Sequence, residues 1–150
     1  MSLACQCERW KDILDEIHPL YVEHWKEMGL SGAQFLLDDA KYAQMDKDGS
    51  LLIVTARDQG KLVGYFLNFI CRHPHYDLLT AAMDVYYLDP KYRCGANGLK
   101  LFSEMEKECR QRGVGFMLAT ARMDRSPGAQ AIFGRLGWEN TRIVFEKKVN

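Results

Sequence analysis

"YLDPKYRCGANGLKLFSEME" occupies residues 87–106. A strand-like run breaks at Pro90, passes Arg93, crosses small residues from Cys94 to Gly98 and then turns helical. An ordinary loop would accept long side chains, so a loop with almost none suggests that something comes close to the backbone. The first-turn N–H groups of a helix have no intrahelical partner, and the helix dipole favours negative charge. Strand, small-residue loop and helix start therefore suit a phosphate group. Glycine permits positive φ there, and Arg93 adds a planar donor fork. A plain glycine-rich turn is the competing reading of these residues alone.

The ligand class narrows by exclusion. A P-loop ends in Gly-Lys-Ser/Thr, whereas Gly98 is followed by Leu99 and Lys100. A dinucleotide fold needs Gly-x-Gly-x-x-Gly inside a parallel βαβ unit, which the spacing of Gly95 and Gly98 does not supply.

Upstream, residues 8–28 read as a helix, with Trp10, Ile13, Leu14, Ile17, Tyr21 and Trp25 on one face and Pro19 arguing for a kink or break. Residues 33–45 read as a second, shorter helix. The period then changes to strands at 51–57, 61–72 and 78–89, the first two joined by the short "DQG" connection. Downstream, Leu99, Phe102, Met105 and Cys109 line a helix over 98–112, with Gly113 as its stop. A continuously apolar, buried strand follows at 114–121. A helix at 126–137 has Ser126 as N-cap and Pro127 in first position, and "TRIVFEKKV" closes the chain as a strand. The order predicts one mixed α+β domain over residues 1–150.

Composition bounds the rest. The chain is 47% apolar and 27% charged, as a globular protein is. Lys plus Arg and Asp plus Glu each count 20, which leaves no overall basic field for nucleic acid or an anionic membrane. Five scattered cysteines do not suggest a disulfide framework, the first residues are not expected to act as a signal peptide, and the apolar runs are strand-sized rather than membrane-length. A cytoplasmic protein is the expectation. "DKDG" at 46–49 fails the calcium-loop count, and Cys5-x-Cys7 lacks a second pair at zinc spacing, so no metal is expected. His18 and His24 read as surface or core residues, and His73 and His75 bracket Pro74 in a loop.

"YLDPKYRCGANG" resembles the acetyl-coenzyme A binding motif of the GNAT superfamily of N-acetyltransferases, Arg-x-x-Gly-x-Gly/Ala after a hydrophobic strand. Arg93 opens it, Ala96 stands where the first glycine is usual, and Gly98 matches the second. "AIFGRLGW" at 131–138 is similar to the family's late helix, and the element order fits from residue 8 onward. The resemblance implies a GNAT-like, mostly antiparallel sheet flanked by helices, with a cleft where strands 83–89 and 114–121 splay apart. Coenzyme A would lie there against Tyr87 and Leu88. Its pyrophosphate would sit on the N–H groups of Cys94, Gly95, Ala96, Asn97 and Gly98, with Arg93, Leu99, Ser126 and Phe133 as further cofactor-binding residues. Acetyl-coenzyme A would be the acyl donor and a primary amine, on a small molecule or a protein, the acceptor. A homodimer is left open.

An alkyl ammonium with pKa ~10.4 is neutral in only about one molecule in a few thousand at pH 7, so a proton acceptor is needed. The candidate is Asp84, in a strand interior where Asp is depleted; substrate-amine binding and a structural pairing are its other readings. Two-residue alternation puts Tyr86 on the face of Asp84, where its hydroxyl could serve as acid. The family often has Tyr as the acid at the position of Phe133, and Asn at Ser126. The Phe supports a second expectation, a catalytically impaired coenzyme A-binding or interaction module. The family usually begins with a strand, for which only "LACQCE" is available here.

Overall fold

The computed structural model describes residues 3–29, 32–122, 124 and 127–149. It divides into two units, Met1–Thr120 and Ala121–Asn150. The first holds β1 (Ala4–Cys7), α1 (Trp10–Met28), α2 (Asp39–Asp48), β2 (Leu51–Asp58), β3 (Lys61–Arg72), β4 (Leu79–Leu88), α3 (Asn97–Gln111) and β5 (Val114–Leu118). The strands form one sheet in the order β1-β2-β3-β4-β5, antiparallel except for the β4–β5 pair. This is the mixed, mostly antiparallel α+β architecture expected.

Alternation along the strands sorts side chains to two faces. Leu51, Ile53, Tyr65, Leu67 and Tyr87 pack against Trp10, Ile13, Ile17 and Tyr21 of α1. On the opposite face Phe66 and Tyr86 meet Phe102 of α3 at ring distances of 4.7 and 4.6 Å. Each large apolar side chain buried in these layers contributes about 1.5–3 kcal/mol. Gln59 and Gly60, both at positive φ, form the two-residue turn that joins β2 to β3.

Several elements depart from expectation for identifiable reasons. α1 runs unbroken through Pro19, whose ring is on the exposed side, where water can satisfy the carbonyl it leaves unpaired. α2 begins at Asp39 rather than residue 33, because Asp38 caps it by accepting from the Lys41 N–H at 3.0 Å. Phe35 and Leu37 still pack on the core from the preceding loop. β1 is the short first strand, paired with β2 through Cys7↔Val54. β5 is an edge strand rather than a fully buried one, and Phe116 is 45% exposed.

In the second unit α4 spans Pro127–Arg135 and ends in a left-handed Gly137, with the Trp138 N–H donating to the Phe133 carbonyl at 2.9 Å. The expected N-cap Ser126 lies outside the described residues. The strand expected over 141–149 is not formed, and Ile143 and Phe145 are 80% and 88% exposed. A strand is stabilised by pairing, and the described residues of this unit offer no second strand. Among the described residues, no helix is long and apolar enough to cross a membrane.

Candidate active site

The small-residue loop forms after a single 3-10 turn at Pro90–Tyr92 that Asp89 caps through the Lys91 N–H. Its chain is tied down by Cys94 N–H to Tyr92 O at 2.8 Å, and by the Asn97 side-chain amide to the same carbonyl at 3.1 Å. Gly95 adopts φ +57°, and a side chain there would meet open space rather than protein. Among the described residues, the N–H groups of Gly95, Ala96, Gly98 and Leu99 have no hydrogen-bond partner. Four unbonded donors at a helix start and a left-handed glycine make a cradle that fits a pyrophosphate.

Arg93 is placed otherwise than its motif position suggests. Its guanidinium donates from Nε to the Leu88 carbonyl at 2.7 Å, pairs with the Glu27 carboxylate at 2.8 Å, and lies 5.4 Å from the Tyr87 ring centre. It braces the loop against the end of α1. Cys94 is exposed.

The pairing of β4 with β5 ends at Ala82↔Leu118, yet β4 continues to Leu88. The Asp89 N–H donates to Val63 on β3, so by alternation Tyr86 and Leu88 turn their backbone groups toward the unpaired side. That open edge leads directly to the unbonded N–H groups of the loop. The side chains of Tyr87 and Leu88 are buried, the Tyr87 backbone faces β3 and the Leu88 carbonyl accepts from Arg93, so of these two residues the Leu88 N–H is the group left for a ligand.

Asp84 occupies an irregularity in β4. Leu67 pairs with Val85 and Asn68 with Met83, so Asp84 is an extra residue, a β-bulge. The bulge shifts the parity of the strand. Asp84 faces the α1–α2 side, where it accepts from the Tyr42 hydroxyl at 2.5 Å, while Tyr86 packs on the α3 side against Phe66 and Phe102. The expected shared face of Asp84 and Tyr86 is thus corrected. Burial raises the Asp84 pKa above the ordinary carboxylate value, against the lowering effects of the Tyr42 hydrogen bond and of Lys41. Burial pushes the Tyr86 hydroxyl up to about 12.

Aromatic rings line this face of the sheet. Trp10 stacks on Tyr42 at 4.7 Å, Tyr21 on Tyr65 at 4.9 Å, and His24 on Tyr87 at 5.0 Å. His24 Nδ1 and the Tyr65 hydroxyl are 2.8 Å apart. Burial, helped by the Arg93 charge, brings His24 down to about 4 and keeps it neutral at pH 7. Tyr21, His24, Tyr42 and Tyr65 escaped the sequence reading, since an aromatic stripe on a helix looks like core. For Tyr21 and His24 the signal is the density of Tyr, His and Trp on α1; Tyr42 on α2 and Tyr65 on β3 carry no such local signal.

Of the remaining candidates, Ser126 lies outside the described residues, and Phe133 is in the second unit, its ring 5.1 Å from Trp138. His73 and His75 lie in the turn between β3 and β4, 5.8 Å apart.

The sequence profile of the Acetyltransferase (GNAT) family matches residues 10–138. No curated protein matches the chain. Among solved structures, the aminoglycoside acetyltransferase meta-AAC0020 from an uncultured soil metagenomic sample, in complex with sisomicin, superposes with TM-score 0.78 at 13% identity, covering 99% of this chain and 97% of that one. A ribosomal-protein-alanine N-acetyltransferase from Brucella melitensis biovar Abortus 2308 gives 0.77 at 15%, with 99% of both chains covered. AAC(6')-Iy bound to the bisubstrate analog CoA-S-monomethyl-acetylneamine gives 0.75 at 17%, again with 99% of both covered. At these identities the likeness is one of fold.

Proposed function

Because this chain belongs to the GNAT family of acetyltransferases, we propose that it moves an acetyl group from acetyl-coenzyme A to a primary amine by direct attack in a ternary complex. The observation that carries this reading is the continuous open track along β4. It begins beside Asp84, passes the outward-facing backbone of Tyr86 and the Leu88 N–H, the Leu88 carbonyl being taken by Arg93, and ends at the unbonded N–H groups of Gly95, Ala96, Gly98 and Leu99. A coenzyme A analog bound to a protein of the same fold supports the same ligand.

Acetyl-coenzyme A supplies an activated thioester carbonyl. The unpaired β4 backbone would hold its pantetheine arm as an added strand, and the loop N–H groups its pyrophosphate. Asp84 takes a proton from the incoming ammonium, and its raised pKa brings it nearer to the basicity such a step needs. Phe133 cannot donate a proton to the leaving thiolate. A thiol of pKa ~8.5 leaves passably without one, at a cost of about 2 kcal/mol.

The test is calorimetric titration with acetyl-coenzyme A, free coenzyme A and ATP, followed by thiol release with a panel of amines. Micromolar binding of acetyl-coenzyme A, much weaker binding of ATP and amine-dependent thiol release are expected. Gly98→Trp should abolish binding by filling the cradle while thermal unfolding stays cooperative. Binding without thiol release for any amine would favour the second reading, a coenzyme A-binding module, which Phe133 suggests. No binding up to millimolar concentration would overturn both.

A further inference from the structure

Asn68 sits in β3 with 1% of its surface exposed, and among the described residues neither its Oδ1 nor its Nδ2 has a hydrogen-bond partner. Its surroundings are apolar. Leu52 and Met83 pair with it from the neighbouring strands. Phe66, two residues earlier and on the same face by alternation, packs against Phe102 of α3. Burying an amide with both groups unpaired costs stability, and an apolar residue would suit such a layer better. A buried polar group of this kind calls for an explanation.

The position of Asn68 supplies one. The register of β3 on β4 breaks between Leu67 and Asn68, and the residue skipped on β4 is Asp84. The extra residue of a bulge is left unpaired in the ladder. Two incomplete hydrogen-bonding sets, a side-chain amide and the backbone of the bulge, therefore lie on adjacent strands. Such strands are roughly 4.8 Å apart, a gap that one bridging water spans. The chemistry of the amide names the same occupant. Oδ1 needs a donor and Nδ2 an acceptor. Water is both, whereas an ammonium cannot accept and a carbonyl cannot donate. Leu52, Phe66 and Met83 give an ion no countercharge. The bulge also decides where Asp84 points. Regular pairing would carry it to the face of Tyr86, and the inserted step turns it to the α1–α2 side instead.

We propose that Asn68 holds one internal water against the backbone of the bulge and is thereby a positioning residue for Asp84. It touches neither cofactor nor acceptor. It fixes the step in β4 that turns the carboxylate toward the α1–α2 side, and it does so from the opposite face of the sheet. A buried amide is kept in an apolar layer because the bulge needs a partner there. The catalytic consequence rests on the acetyltransferase reading, but the water and the bulge do not.

The test is water-to-amide NOE spectroscopy on the nitrogen-15-labelled full chain, joined to amide hydrogen exchange and to turnover with the amine that releases thiol fastest. In the wild type, water cross-peaks are expected at the Asn68 side-chain amide and at a backbone amide within residues 83–85. Asn68→Leu keeps the branched shape without donor or acceptor. It should lose the backbone cross-peak and speed exchange at residues 83–85 about tenfold. Its kcat should fall about tenfold or more, as a displaced catalytic group requires, with acetyl-coenzyme A affinity unchanged. Asn68→Ser, whose hydroxyl both donates and accepts, should keep the cross-peak and most of the turnover. Absence of the water cross-peaks in the wild type, or unchanged exchange and kcat in Asn68→Leu, overturns the proposal. Where Asn68→Leu does not fold, the cross-peaks of the wild type and of Asn68→Ser decide. Water cross-peaks at Asn68 and the bulge in a chain that transfers no acetyl group would sustain this site and remove the reaction.

Discussion

At Asp84 a carboxylate that strand propensity disfavours is held mostly buried under the Tyr42 hydroxyl. Its native pKa is raised above the ordinary value of 3.8, mainly by burial. The native state therefore binds this proton more tightly than the unfolded chain does. The contribution to stability is favourable below the unfolded pKa and is lost as pH rises through the native one. At neutral pH the charge destabilises the fold that carries it. Asp84→Asn should accordingly melt at a higher temperature than the wild type at pH 7, while turnover falls on the order of 10²-fold with acetyl-coenzyme A affinity little changed. Thermal unfolding, steady-state kinetics and calorimetry check the three parts together. A variant that loses stability along with turnover would show a structural carboxylate instead. Asp84 was legible in the sequence because Asp is rare inside strands. Its direction was not, because a bulge inserts one residue and reverses the parity on which the pairing with Tyr86 relied.

Among the elements, α1 does most to shape the site, and one histidine on it ties acceptor side to sheet. His24 stacks on Tyr87, meets the Tyr65 hydroxyl at 2.8 Å, and titrates near 4 because burial disfavours its charge. A depressed histidine binds fewer protons when folded, so its contribution is present above its unfolded value of 6.5 and is lost as pH falls toward about 4. Urea unfolding at several pH values should show the wild type losing stability across that window. The difference between wild type and His24→Gln isolates this residue from the carboxylates that titrate at its lower end. A difference that does not change with pH would mean that His24 titrates in the fold as it does in the unfolded chain. The strands and α3 were readable because alternation and helical spacing are local signals. The start of α2 was not, since a single cap at Asp38 outweighed the apolar pattern of residues 33–37. The strand expected at 141–149 depended on a partner that local sequence does not contain.

Over the whole molecule, equal numbers of acidic and basic residues hide a separation by region. Residues 8–48, the span of α1 and α2, hold ten Asp and Glu against five Lys and Arg. Residues 90–120, the span of the loop and α3, hold six Lys and Arg against three Glu. These two groups of helices pack on opposite faces of one sheet. A net charge of zero thus gives no steering field at long range but two opposed fields near the surface. A cationic acceptor would be drawn to the acidic face, and the anionic cofactor to the basic loop. Such fields are screened within about 10 Å at 0.1 M salt. If the acidic face guides the acceptor, kcat/KM for a diamine should fall several-fold as salt rises from roughly 20 to 300 mM. The fall for a monoamine of equal length should be smaller, because one charge couples to the field where two did. Acetyl-coenzyme A, held saturating throughout, removes its own salt dependence from the comparison. Identical salt slopes for the two acceptors would confine recognition to the Asp84 pocket and leave the acidic face as ordinary solvated charge.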